Sequence, residues 1–189
     1  MSAAARINPM PVIRAHVRTL TNEARVDWVA RAIIWGAPIA VGSLAYGTSW
    51  RFTAPSAVLA GVALLMGGLL STAGVLSALR LKLTDRDEAH RVAEEAKRNL
   101  DEAVPHVLTA ALACLAAATV IIVAMNYPLA VGDPTINRGF SCTTAAALTF
   151  IGVLFVATII RLYAAYVQVN NVPSQLNGFV RHGGALKAP

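Results

Sequence analysis

Charged residues are scarce in this chain of 189 residues. They make up 14% of the sequence, against 56% hydrophobic residues, and the mean hydropathy is +0.58. A soluble domain usually has about a quarter charged residues. Four long apolar blocks contain no Asp or Glu at all. This composition argues against a soluble globular protein and predicts a polytopic membrane protein.

Residue types that carry catalysis or bind metals are also few. The chain has two cysteines and four histidines, and the histidines lie in separate segments, at positions 16, 90, 106 and 182. The sequence contains no His/Asp/Glu/Cys cluster with metal-ligand spacing, no phosphate-binding loop, no dinucleotide fingerprint and no nucleophile-elbow motif. We therefore expect no catalytic residue, no metal and no cofactor, and the protein is not expected to be an enzyme. His106 begins the third apolar block, where an interfacial histidine without function is commoner than the alternative, a pH-sensitive gate.

The four apolar blocks predict four transmembrane helices, at about residues 29–46, 56–79, 106–127 and 141–160. The first contains Pro38, which predicts a kink because proline lacks a backbone N–H and its ring crowds the preceding turn. Cys142 falls near one end of the fourth span, and Cys114 lies about 20 Å deeper in the third, so an intrachain disulfide is not expected. The predicted fold class is all-α, with a four-helix transmembrane domain over residues 29–167.

The N-terminal segment, residues 1–28, has a helical apolar stripe beside basic residues. This pattern is typical of an amphipathic helix that lies in the headgroup plane of a membrane. We expect contact with anionic lipid headgroups from its arginines and from the one that begins the first span: Arg14, Arg18, Arg25 and Arg31. A short soluble helix packed on a neighbour is the alternative.

A charged segment, residues 80–104, holds six basic and seven acidic residues between the second and third spans. Its Glu, Ala, Lys and Arg residues predict a cytoplasmic helix over residues 84–104, with Pro105 at the entry to the third span. A solvated helix with salt bridges is the simpler interpretation, and a docking surface for a cytoplasmic regulatory protein is the functional one. The polar tail, residues 168–189, is expected to be cytoplasmic and poorly ordered.

The distribution of basic residues predicts the topology. Fourteen of the sixteen lie in the N-terminal segment, the central charged segment and the C-terminal end, and only Arg51 and Arg138 lie in the other two loops. Positive residues favour the cytoplasmic side, so both termini are expected inside. Because the charges separate apolar blocks, an anionic bilayer is the expected partner and nucleic acid is not. Arg outnumbers Lys thirteen to three, which hints at a bacterial source and hence the bacterial cytoplasmic (inner) membrane.

Small and hydroxyl-bearing residues recur within the spans. A seam on the second span, defined here as the small-residue seam, consists of Ala60, Gly67, Ser71, Gly74 and Ala78. Small residues let helices approach closely in lipid, so the seam serves either packing within one chain or a homo-oligomer around a pore. The candidate pore-lining hydroxyls are Thr72, Ser77, Thr109, Thr119, Thr149 and Thr158. Such hydroxyls more often donate to a carbonyl of their own helix.

Four spans, a charged helix between spans two and three, short outer loops and the closing run Ile159–Tyr163 give a recognisable layout. This layout resembles the small four-span bacterial and phage membrane proteins of phage exclusion, of the Rex membrane-component type. The resemblance implies an antiviral membrane effector that depolarises or permeabilises the cell on a trigger. The small-residue seams, the hydroxyl-bearing spans and the charged segment lead us to expect a pore-forming or depolarising effector, an ion channel among the possible forms, which is oligomeric and held in check by a cytoplasmic partner. A holin-like lysis protein and a non-conducting scaffold that recruits a cytoplasmic partner through residues 84–104 are the alternatives.

Overall fold

The computed structural model describes residues 8–19, 21–22, 25–26, 28–85, 92–127 and 135–169, and its architecture is helical. The chain begins with helix α1 and two short paired strands, followed by a first span built of two α-helices around a π-helical turn. Three long helices complete the chain. In order, the elements are α1 (Met10–Thr19), β1 (Thr21–Asn22), β2 (Arg25–Val26), α2 (Trp28–Arg31), the π-helical turn (Ala32–Gly36), α3 (Ala37–Gly47), α4 (Pro55–Asp85), α5 (Val92–Met125) and α6 (Arg138–Val169).

Four helical stretches are long and apolar enough to cross a membrane: Trp28–Gly47, Pro55–Lys82, Lys97–Met125 and Arg138–Val167. The predicted all-helical fold with four candidate spans is therefore confirmed. The helices extend beyond the predicted apolar ranges, because helical hydrogen bonding does not stop where the apolar composition stops. Three helices are longer than the roughly 20 residues that a hydrocarbon core requires. Helix α4 has 31 residues, α5 has 34 and α6 has 32.

The segments that flank the spans differ in detail from the sequence-based expectation. The helix expected in the N-terminal segment ends at Thr19, whose hydroxyl donates to the carbonyl of His16 at 2.6 Å. Beyond it β1 and β2 pair in antiparallel register. Residues 84 and 85 end α4, whereas residues 92–104 form the first turns of α5, which runs on through Pro105. Residues 86–91, and the tail from residue 170, lie outside the described residues.

The helices pack in the order α3–α6–α5–α4. In the part of the chain that the structure describes, α3 packs on α6 and α4 packs on α5, whereas α3 and α4 do not pack on each other. Helix α5 occupies the interior, with its small residues Ala103, Ala110 and Ala117 almost fully buried. Helix α4 meets it along a line of larger side chains at seven-residue spacing, Val62, Leu69 and Leu76.

A glycine permits the close packing of α3 on α6. A Cβ atom at Gly42 would lie 3.1 Å from the Cβ of Ala146 and 3.4 Å from the carbonyl oxygen of Cys142. Ordinary carbon–carbon contacts are about 3.5–4.0 Å. The hydrogen of Gly42 therefore lets the backbones of the first and fourth spans approach more closely than an alanine would allow without adjustment.

The expected perturbation at Pro38 takes the form of a wide turn. The π-helical turn Ala32–Gly36 ends just before Pro38, which lies in the first turn of α3. In a regular α-helix the proline ring would crowd the carbonyl of residue 34, four positions earlier. A π-helical turn inserts extra backbone into the helix, which makes room for that ring.

The two ends of the helix assembly differ in chemistry. One end, called here the charged end, carries Arg80, Lys97, Arg98, Asp101 and Arg161. At the opposite end, the guanidinium group of Arg138 lies 3.9 Å from the ring centroid of Tyr46 and donates to the carbonyl of that residue. The backbone N–H of Phe52 donates to the hydroxyl of Ser141 at 3.2 Å, which ties the first loop to the start of α6.

Candidate functional site

Helix α1 docks lengthwise against α5, antiparallel to it. A cavity of about 390 Å³ is lined by Asn8, Pro9 and Val12 near α1, by Met66 and Leu70 of α4, and by four residues of α5 between Leu108 and Leu115. The C-terminal end of α1 contacts a part of α5 that precedes Leu108, because the ring of His16 contacts the ring of His106. Nine residues separate His106 from Leu115, so α1 follows α5 for about 13 Å.

Four aromatic rings connect α1 to three other elements. The rings of His16 and His106 lie edge to face, with centroids 4.6 Å apart and an interplanar angle of 84°. Phe150 of α6 lies edge to face on His16 at 6.5 Å, and Trp35 of the first span stacks on Phe150 at 5.4 Å. Both histidines are only 1% exposed. The imidazole of His16 is therefore the centre of the contact that holds α1 to the spans.

The hydrogen bonds of the two histidines are unequal. Nδ1 of His106 lies 2.8 Å from the carbonyl oxygen of Glu102. A carbonyl only accepts, so Nδ1 carries the hydrogen and Nε2 is the acceptor in the neutral ring. Neither ring nitrogen of His16 has a hydrogen-bond partner among the residues described. A buried polar atom without a partner costs free energy, so the docked position of α1 is held by ring packing despite that cost.

An ion pair lies beside the histidines. The guanidinium group of Arg161 on α6 contacts the carboxylate of Glu102 on α5, with side-chain exposures of 22% and 31%. Arg98 lies 3.7 Å from the same carboxylate, one helical turn earlier. Burial, and then the positive charge of Arg161, lower the pKa of His16 below its usual value of 6.5. The docked form of α1 therefore favours a neutral His16.

The chemistry available to this cluster is proton binding. Among the described residues, no three or more His, Cys, Asp or Glu side chains form a group that could hold a metal ion. A proton taken up by His16 would place a charge next to Arg161 and disfavour the docked position of α1.

The small-residue seam lies on the outside of the assembly. Ala60, Gly67, Ser71, Gly74 and Ala78 are all exposed. A Cβ atom added at Gly67 or at Gly74 would meet nothing within 4 Å. The side of α4 that faces α5 carries the Val62–Leu76 line instead. The seam therefore has no packing role inside the described part of one chain.

The candidate pore-lining hydroxyls do not come together around one path. Ser77 and Thr119 are exposed, Thr72 and Thr149 are half-buried, and Thr109 and Thr158 are buried. Five of the six donate to a carbonyl of their own helix at 2.8–2.9 Å: Thr72, Ser77, Thr119, Thr149 and Thr158. The buried hydroxyl of Thr109 has no partner among the described atoms. A set divided between the core and the outside does not line a channel through a single chain.

The four arginines expected at lipid headgroups have different surroundings. Arg14 and Arg18 lie on the exposed side of α1, opposite the buried face around His16, and Arg31 is half-buried at the end of α2. The side chain of Arg25 lies outside the described residues. Contact of these arginines with lipid stays a prediction.

Three residues of the cluster were not recognised as partners from the sequence: His16, Glu102 and Arg161. One signal was available, because Arg161 directly follows the apolar fourth block and a charge at the end of a span calls for a counter-charge on a neighbouring helix. No sequence signal indicated that α1 would return along α5. The chain matches no known protein family, no curated protein and no solved structure.

Proposed function

We propose that this protein is a multi-pass membrane effector that assembles as a homo-oligomer and depolarises the membrane through an ion path between its copies. The observation that carries the proposal is the uncovered small-residue seam of α4. Hydrophobic burial does not drive helices together in lipid, and close contact of small residues does. A face of glycine, alanine and serine along a span is suited to packing against the same face of a second copy.

The positions of the hydroxyl groups favour an ion path between copies of the chain and not an ion path inside a single copy. Ser71 belongs to the exposed seam, so copies joined near α4 would bring this hydroxyl from each chain to a common interface. We further propose that the charged end faces the cytoplasm, because basic residues favour that side. Helix α1 and the ends of α4 and α5 would then be accessible to a cytoplasmic regulator.

A non-conducting scaffold is the second candidate, and one observation favours it. Helices α4 and α5 continue past the apolar spans, and Nε of Arg80 lies 2.8 Å from a carboxylate oxygen of Asp101, so the two ends are joined at the charged end. Two helices that continue past the apolar spans are suited to recruiting a soluble protein. Such a scaffold leaves ion gradients intact.

Membrane potential during controlled expression in a bacterial host tests the proposal. A voltage-sensitive dye should report rapid depolarisation with the unaltered chain, before any cytoplasmic enzyme leaves the cell. The double variant Gly67→Leu/Gly74→Leu should abolish depolarisation, because two leucines on the seam prevent close approach of a second copy. Gly61→Leu is the matched control, since Gly61 is equally exposed on α4 but lies about 120° around the helix from Gly67.

Three outcomes would count against the proposal. Equal depolarisation by the unaltered chain and the double variant would remove the seam from the mechanism. Release of a cytoplasmic enzyme together with depolarisation would favour a holin-like lesion. An intact membrane potential, combined with co-purification of one soluble partner, would favour the scaffold.

A further inference from the structure

Helix α1 has two faces of opposite chemistry. Its inward face carries the buried His16 and the half-buried Val12 and Ile13, whereas Arg14 and Arg18 are exposed on its outward face. A helix with this division is also suited to the surface of an anionic membrane, with its apolar face in the acyl region and its arginines at the headgroups. Both positions use the same inward face, so α1 can occupy only one of them at a time.

Few contacts hold α1 in its docked position. Among the described helices, α1 packs along α5 alone, and the ring of Phe150 on α6 adds one lateral contact. The inward face also buries the imidazole of His16, whose two nitrogens have no hydrogen-bond partner among the described atoms. Burial of unpartnered polar atoms costs free energy. At a membrane surface, water and headgroup oxygens are available to the same nitrogens.

The charged groups around His16 make the docked position sensitive to protonation. They are His106 and Glu102 on α5 and Arg161 on α6, and the carboxylate of Glu102 is already paired with Arg161 and with Arg98. An imidazolium at position 16 would therefore face a cation without a carboxylate left to balance it. The headgroups of an anionic membrane would instead attract that imidazolium.

The depth of the docked position also contrasts with the membrane surface. Helix α1 follows α5 from His106 towards Leu115, which lies inside the candidate span Lys97–Met125. The exposed Arg14 is therefore beside an apolar stretch of α5, where a charge is unfavourable unless the side chain reaches the interface. At the surface the same side chain would lie directly among phosphate groups.

We propose that α1 is a detachable membrane-binding arm that exchanges between its position on α5 and the anionic surface of the bilayer, and that protonation of His16 shifts it to the surface. In the docked form a neutral imidazole packs among aromatic rings. In the surface form the imidazolium and the arginines lie among lipid phosphates. The inference goes beyond the proposed function, and it does not depend on whether the protein conducts ions.

A fluorophore on α1 tests this exchange in the full chain. Bimane is attached through Val17→Cys, an exposed position next to His16, in a chain that also carries Cys142→Ser so that only the buried Cys114 remains of the native cysteines. Trp35 is the quencher, because its ring stacks on the ring of Phe150, which in turn contacts His16. Docked α1 therefore gives a quenched bimane, and detached α1 gives a bright one.

The measurements are made about one pH unit above and one below the ordinary histidine pKa of about 6.5. We expect quenching at the higher pH in phosphatidylcholine vesicles. Quenching should be lost at the lower pH in vesicles that also contain phosphatidylglycerol. Trp35→Phe keeps a stacking ring and should abolish quenching under all conditions, which assigns the signal to the docked position.

Three variants separate the two driving forces. His16→Phe keeps a ring that cannot be protonated, and it should raise quenching at the lower pH towards the level at the higher pH. Arg14→Gln should lower the ratio of detached to docked α1 in the anionic vesicles about fivefold, the factor by which one basic residue favours an anionic surface. Lys82→Gln is the matched control, since it removes an exposed basic residue from the end of α4 and should leave the ratio unchanged.

Three results would overturn the inference. The first is quenching that does not change with pH or lipid. The second is equal detachment in phosphatidylcholine alone, which would show that the anionic surface is not the destination of α1. The third is equal detachment in His16→Phe, which would assign the pH response to another group. All three are read without ion flux, so they leave the proposed function to its own test.

Discussion

Replacing Gly42 with alanine tests the closest helix contact in the structure. The added methyl group would start 3.1 Å from the Cβ of Ala146 and 3.4 Å from the carbonyl oxygen of Cys142. Since carbon atoms in contact are about 3.5–4.0 Å apart, α3 and α6 must separate locally by about half an ångström. Overpacking of this kind costs about 1–3 kcal/mol. Alanine is also a better helix former than glycine, by up to about 1 kcal/mol.

The net expectation is a destabilisation of about 0–3 kcal/mol, which is the overpacking cost less the gain in helix propensity. Gly68→Ala is the control that isolates the steric part. Gly68 lies inside α4, and a Cβ atom there would meet nothing within 4 Å. That variant should gain up to about 1 kcal/mol, so the two variants should differ by about 1–3 kcal/mol.

The assay is the free energy of unfolding in micelles of a mild detergent with increasing dodecyl sulfate, followed by far-ultraviolet circular dichroism. Adding Ala146→Gly to Gly42→Ala should restore part of the loss, because the nearest atom to the new methyl group is then absent. A double-mutant cycle separates this coupling from the helix propensity of each substitution. Equal shifts for Gly42→Ala and Gly68→Ala, with no coupling to position 146, would refute the close contact of α3 and α6.

The remaining predictions concern the cluster at the charged end. Glu102→Gln should lower the free energy of unfolding by about 1–2 kcal/mol, because the partly buried Arg161 loses its counter-charge. When Arg161→Met is added to Glu102→Gln, the same assay should show a smaller loss of unfolding free energy. Docking of α1 should be strongest above pH 6.5 and weaken as the pH falls below it, because the docked form lowers the pKa of His16 and so binds fewer protons than the undocked form. Hydrogen exchange in α1, corrected for intrinsic rates, measures this weakening, and His16→Phe should reduce its pH dependence.

The sequence was sufficient to predict the helical fold and the four candidate spans, because a long apolar block without acidic residues is compatible with few structures other than an apolar helix. It was insufficient for the ends of the helices. Composition changes at Leu79 and at His106, but the hydrogen-bonded backbone continues to Asp85 in α4 and begins at Val92 in α5. Apolar composition indicates which part of a helix lies in an apolar environment. The length of the helix depends instead on how far its backbone hydrogen bonds continue.

The candidate site was harder to predict, because it depends on contacts between distant segments. His16 and His106 are ninety residues apart, and nothing in either local pattern indicates that their rings meet. Glu102 and Arg161 show the same difficulty: each belongs to a different helix, and their pairing depends on α5 lying next to α6. The order of helices in a membrane domain is set by side-chain packing, to which hydropathy is insensitive.

The glycines illustrate the difference between a composition and a contact. Gly42 and Gly67 are both glycines inside spans, and the sequence favoured Gly67 as a packing residue because it belongs to a longer seam. In the structure Gly42 has Ala146 against it, whereas the position of Gly67 is open. Substitutions at the two positions should therefore affect different properties. A bulky residue at Gly42 should lower the stability of the single chain, and one at Gly67 should leave that stability intact while it blocks the proposed association of copies.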